Sequence, residues 1–133
     1  RPLHTIIPGF LAYGDQRVAF GIMGGFNQAQ AHAQFVSYLI DEKMNIQGAM
    51  ESPRFTRPIP EGCSVLIENR FPAPAIDQLK KLGHLVDIRP AYSYRMGGGQ
   101  AVAFDRKTKV KSGASDPRKD GAAIPEPEHF WKP

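Results

Sequence analysis

Phe20-Gly21-Ile22-Met23-Gly24-Gly25-Phe26-Asn27-Gln28-Ala29-Gln30 is the stretch on which the fold turns. An apolar run stops at two adjacent glycines, and a helical pattern starts directly after them. From Asn27 to Met44 the face includes His32, Phe35, Val36, Leu39 and Ile40. Their spacing is the stripe of an amphipathic helix lying on a sheet. Asn27 is the expected N-cap. A strand that passes through a Gly-Gly turn into a helix presents free backbone N–H groups where a negative oxygen can sit. Two such groups are what acyl-transfer chemistry uses to hold a tetrahedral oxyanion. The same dipeptide also suits a tight strand-to-helix connection with no chemistry.

Working outward, Thr5 to Tyr13 reads as an extended segment, with Pro8 forcing an edge position or a bulge. Gly14-Asp15-Gln16 is turn chemistry, and Arg17 to Met23 reads as the returning strand of a hairpin. Ile46 to Met50 predicts a second short helix that ends before Pro53. Arg54 to Gly62 is irregular. Ser64 to Glu68 predicts a strand, and Phe71-Pro72-Ala73-Pro74 leads into a helix with Ile76, Leu79 and Leu82, closed by Gly83. A strand follows at His84 to Ile88, then a loop from Pro90 to Gly99. A hairpin of Gln100 to Phe104 with a final strand through Ala114 completes the pattern. The order ββαα–βα–βββ predicts an α/β (α+β) fold, a mixed or antiparallel sheet with helices packed on it.

The 133 residues suit one domain with a real core. A hydrophobic content of 41% with 23% charged residues is that of an ordinary globular protein. No run approaches the roughly 18 apolar residues of a membrane span, and Arg1-Pro2-Leu3-His4-Thr5 carries no signal-peptide apolar region. There is no initiator Met, so a processed or truncated product is expected. Seventeen basic against thirteen acidic residues give a net charge of +4. The one basic cluster, Arg106 to Lys111, reads as a solvated hairpin turn, and a nucleic-acid surface would need a continuous basic stripe with aromatics. Cys63 is the only cysteine, which excludes an intrachain disulfide and a cysteine zinc cluster. It reads as an inert structural thiol.

His4, His32, His84 and His129 share no ligand spacing with Asp, Glu or Cys, so no metal or cofactor is expected. His32 falls on the core-facing stripe, where a satisfied buried histidine is the usual outcome. Ser115 and Asp116 lack a Gly-x-Ser-x-Gly elbow. Ser115-Asp116-Pro117-Arg118 reads as a turn in which Asp116 caps backbone donors. Gly97-Gly98-Gly99 is not followed by Gly-Lys-Ser/Thr, and close backbone approach or loop mobility explains it better than a phosphate loop.

Several segments in order carry a resemblance: Arg1 to Pro8, Met23-Gly24-Gly25, Asn45-Ile46-Gln47-Gly48-Ala49-Met50-Glu51-Ser52-Pro53-Arg54-Phe55, Gly83-His84-Leu85-Val86, and Gly113 to Ala123 with Ser115-Asp116-Pro117-Arg118. Together they resemble the C-terminal part of the small subunit of gamma-glutamyltranspeptidases. The resemblance implies an N-terminal nucleophile hydrolase with an αββα sandwich, made as a precursor that cuts itself in two. It implies attack by an N-terminal threonine on the γ-glutamyl amide of glutathione or a relative, with the threonine's own amino group as base. By resemblance Gly24 and Gly25 supply the oxyanion-hole N–H groups. His4 and Thr5 stand where many members carry two serines that bind the glutamyl carboxylate. His4 departs from that pattern in size and charge, leaving a related acyl amide as an alternative substrate.

Arg1 is not the nucleophile, and Thr5 is internal, so the expectation is a C-terminal piece that is inactive alone. Residues 1–124 form the family portion and 125–133 a proline-rich tail. The expected partners are the rest of the small subunit and the large subunit. The alternative is a non-catalytic module that self-associates through exposed sheet edges and the Phe130-Trp131 tail. The compartment stays open.

Overall fold

The structure, a computed structural model, describes residues 6–59 and 61–125. His4, Thr5, His129, Phe130 and Trp131 lie outside the described residues. In chain order the elements are β1 (Gly9–Tyr13), β2 (Gln16–Ile22), α1 (Asn27–Ile40), α2 (Ile46–Glu51), β3 (Phe55–Thr56), β4 (Ser64–Glu68), α3 (Ala73–Lys81) and β5 (Leu85–Arg89). A 3-10 turn at Tyr94–Met96, β6 (Gly99–Asp105) and β7 (Lys111–Ser115) follow.

The mixed α/β class is observed, with its strands in two sheets. One is antiparallel, of order β1-β2-β6-β7, and the other is β3-β4-β5. The expected first hairpin is present, with Gly9 opposite Phe20 and Tyr13 opposite Gln16. In the last hairpin, Asp105 Oδ1 accepts from the N–H groups of Lys107 and Thr108 at 2.9 and 2.8 Å. The Arg106 to Lys111 cluster is accordingly an exposed turn. Strands β4 and β5 run parallel, and α3 supplies the crossover that parallel neighbours require.

Alternation along β2 and β6 sends Val18, Phe20, Ile22, Ala101 and Ala103 to one face of the larger sheet. There they meet Ala31, Phe35 and Leu39 of α1 and Ile46, Ala49 and Met50 of α2. Each large side chain buried this way contributes about 1.5–3 kcal/mol. Val65, Ile67 and Ile76 form a smaller core between the second sheet and α3. The other face of the larger sheet is open. Its register aligns Phe10, Ala19, Val102 and Gly113 in one row across all four strands. Phe10 is 70% exposed and Val102 58%. Gly113 is backed by Ala123, whose Cβ lies 2.9 Å from where a Gly113 Cβ would stand.

Four expectations are corrected in detail. Helix α1 stops at Ile40 rather than Met44, because Lys43 takes a left-handed φ of 54° and reverses the chain. Its N-cap position is Phe26, which gives no side-chain cap, and Asn27 is already helical. The irregular Arg54 to Gly62 segment contains the two-residue strand β3. Cys63 is free and exposed, not a packed structural thiol. Asparagine capping occurs instead at α2, where Asn45 Oδ1 accepts from Gly48 N–H at 2.8 Å.

Candidate active site at the Gly24-Gly25 turn

The last two amides before the glycine pair are fixed from opposite sides. Ile22 N–H donates to His32 Nε2 at 2.9 Å, and Met23 N–H donates to the Gly98 carbonyl at 3.1 Å. The backbone then takes φ values of 140° at Gly24 and 59° at Gly25, both in the region that L side chains avoid. The carbonyls of Gly24 and Gly25 accept from Asn27 and Gln28 N–H, each at 3.1 Å, and so begin α1. The two glycine amides themselves donate to no described residue, and both glycines are exposed. Sequence reasoning placed free N–H groups at this junction, and the structure places them there.

Behind the turn stand the three glycines of the Pro90 to Gly99 loop. Gly97 has a φ of 77°, and a Cβ there would lie 2.0 Å from the Met23 carbonyl oxygen. A Cβ at Gly24 would lie 3.5 Å from Gly97 Cα. The loop is thus a close backbone approach, as its sequence suggested. Between the two strands of backbone lies the Asn27 carboxamide, buried, with neither its Oδ1 nor its Nδ2 hydrogen-bonded. Burying it without a partner works against stability.

His32 is the satisfied, partly buried histidine anticipated from its helical face. Its ring meets Phe20 edge-on at 5.1 Å, and Phe20 meets Phe35 at 4.9 Å. Accepting through Nε2 requires the neutral ring with its proton on Nδ1. Burial, then the charge of Arg54, lowers the His32 pKa below its usual 6.5, which favours that form.

A buried charge network supports the whole arrangement, and sequence reasoning missed it. Arg54 donates to Asp116 at 2.6 Å, and Arg118 pairs with Glu68 at 2.7 Å and Asp116 at 3.1 Å. Asp116 also accepts from the N–H groups of Gly99 and Arg118 at 3.2 and 3.0 Å, so the expected backbone capping is one part of a larger role. Glu68 accepts in addition from Arg54 N–H, Ser93 N–H and Arg70. Burial lowers the Arg54 pKa against the pull of Asp116, while the carboxylates around Arg118 raise its pKa despite burial. The two fully buried cations and two buried carboxylates balance, with the part-exposed Arg70 joining at the margin, and the network ties Gly99 and the end of β7 to α2 and β4.

Of the expected site residues, the oxyanion candidates Gly24 and Gly25 are together at the turn, and the substrate-binding candidates His4 and Thr5 lie outside the described residues. Among the described residues, no group of three His, Cys, Asp or Glu side chains could hold a metal ion. No helix among them is long and apolar enough to cross a membrane.

Comparison with known proteins matches residues 1–126 to the family model of Gamma-glutamyltranspeptidase. The chain is similar to a glutathione hydrolase-like proenzyme, YwrD, of Bacillus subtilis, at 34% identity over 93% of this chain and 24% of the relative. It is also similar to an oxamate amidohydrolase proenzyme of Klebsiella pneumoniae, at 32% identity over 92% of this chain and 24% of the relative. Among solved structures, a cephalosporin acylase from Bacillus halodurans superimposes with a TM-score of 0.79 at 38% identity, over 90% of this chain and 22% of that one. The chain therefore spans about a quarter of the length of these relatives. With a family match that covers nearly its whole length, around a glycine turn with two free amides, this chain belongs to the gamma-glutamyltranspeptidase family.

Proposed function

We propose that the chain is the C-terminal part of an autoprocessed acyl-amide hydrolase or transferase, and that Gly24 and Gly25 form its oxyanion hole. The observation that carries this reading is the pair of unbonded, exposed amides on a turn whose two preceding amides, Ile22 and Met23, are both fixed. An N-terminal threonine elsewhere in the proenzyme attacks the acyl carbon. The carbonyl oxygen then gains charge and accepts from the two glycine N–H groups, and the intermediate collapses with loss of the amine, which takes up a proton. The acyl group passes to water or to an amine acceptor. The glutamyl, oxamate and cephalosporin compounds in the relatives' names argue for an acyl amide, with a γ-glutamyl amide as the first to test. His4 and Thr5 are assigned to its carboxylate, and residues 1–124 to the catalytic portion.

The test uses the full-length protein and a chromogenic γ-glutamyl anilide. Replacing Gly24 or Gly25 by its α-hydroxy acid counterpart exchanges the N–H for an oxygen while leaving φ free to keep its value. Gly24→Pro and Gly25→Pro remove the same donor more crudely. Turnover should fall about a hundredfold or more. Full activity in the hydroxy-acid proteins would sink the assignment.

A second reading is favoured by the open row of Phe10, Ala19 and Val102. In the proposed proenzyme that face is covered by the second sheet of the sandwich, contributed by the rest of the precursor. In the 133-residue chain alone, the same face supports self-association without catalysis.

A further inference from the structure

We propose that His32 is a positioning residue for the Gly24-Gly25 turn, holding the end of β2 through the Ile22 amide so that the two glycine N–H groups share one aim. The inference rests on reading that turn as the oxyanion hole.

The geometry of β2 explains the need. Strand β1 begins at Gly9, opposite Phe20, so the Ile22 amide on that side has passed the last backbone partner in β1. His32 Nε2 takes the vacant acceptor place at 2.9 Å, while Met23 is held from the β6 side through Gly98. The two bonds pull on consecutive residues from opposite directions, which fixes the plane in which the next peptide leaves the sheet. The histidine belongs to α1, the helix that the turn itself opens. Strand end and helix start are thus braced across the turn they flank, with Phe20 edge-on against the ring and Phe35 against Phe20. Small errors in donor placement cost catalysis steeply, because oxyanion stabilisation depends on donors fixed before the charge develops.

The bond exists only while Nε2 is bare. Elements β2, α2 and β3 pack on α1. The charged residues of these elements and their flanks include Arg17, Glu51, Arg54 and Arg57, the last bonded through its backbone to Gln30 of α1, and Asp41 follows α1 with its carboxylate accepting from Ser37. Of these, Arg54 is the charge felt at His32, and it opposes protonation together with burial. The bond is therefore intact above the ordinary histidine value of 6.5 and is lost as pH falls through the lower value of the folded protein.

Three proteins test this in the full-length enzyme: the parent, His32→Gln and His32→Phe. Glutamine keeps an oxygen acceptor that does not titrate, and phenylalanine keeps the ring but cannot accept. The expected result for His32→Phe is a kcat lowered about tenfold or more with KM little changed. His32→Gln should restore most of that loss at pH 8 and retain a larger fraction of its activity than the parent on the acid side. A His32→Phe protein with parental kcat, or one whose only defect is a lower melting temperature, overturns the inference. If His32→Phe does not mature, the glutamine protein decides: an acid limb identical to the parent's overturns it. The glycine hydroxy-acid proteins separate the two readings. Should they lose turnover while the His32 proteins behave as the parent, only the positioning role falls; should they keep full activity, the oxyanion reading falls as well.

Discussion

Glu68 closes a strand in which Val65, Leu66 and Ile67 precede it, and its carboxylate has no exposure at all. Burial alone would raise its pKa, but the hydrogen bonds and charge of Arg118, helped by Arg70, bring it below the usual 4.5. A carboxylate depressed in this way contributes stability above the unfolded pKa and loses it as pH falls through the folded value. The protein should lose stability below about pH 4.5 more steeply than a Glu68→Gln variant does. Urea unfolding at a series of pH values measures this, and equal slopes would refute it. At neutral pH, Glu68→Gln should itself cost about 3–5 kcal/mol, since it leaves the buried Arg118 cation without its closest anion. Arg54 and Arg118 are individually unremarkable in the sequence. Isolated charges read as surface, and nothing local announces that Arg54 meets Asp116 from 62 residues away.

Elements were legible where a periodicity changes. The switch from a strand pattern to the His32, Phe35, Val36, Leu39 stripe located the turn, the helix and the free amides together. Element ends were less so, because they depend on single backbone conformations. Lys43 stops α1 through a left-handed φ that no propensity of lysine predicts. The two asparagines divide in a similar way. Asn27 has the residue type of a cap but stands one place too late, whereas Asn45 caps α2 through Gly48. Asn45→Ala should therefore destabilise the protein by about 1 kcal/mol. Thermal unfolding reads this directly, and an unchanged midpoint would show that the cap is dispensable. The three-glycine loop shows a further limit. Its composition said that backbone comes close, but only the fold says that the partner is Met23.

The molecule as a whole presents one covered and one open face of its larger sheet. Phe10, Ala19 and Val102 would be dry in a sandwich, and they are wet here. The isolated 133-residue chain should accordingly self-associate with rising concentration, and Val102→Lys should return it to a monomer. Sedimentation velocity distinguishes these states, and a parent chain monomeric at every concentration would remove the assembly reading.

The same chain has a timetable written into its interior. Glu68 is paired by Arg118, fifty residues behind it, and Arg54 by Asp116, sixty-two behind. At a synthesis rate of about 5–20 residues per second, each early charge waits several seconds for its counterpart. Until the Ser115-Asp116-Pro117-Arg118 run leaves the ribosome, Arg54 lacks its carboxylate and Glu68 has only Arg70 of its two arginine partners. Asp116 and Arg118 are what let Arg54 and Glu68 settle.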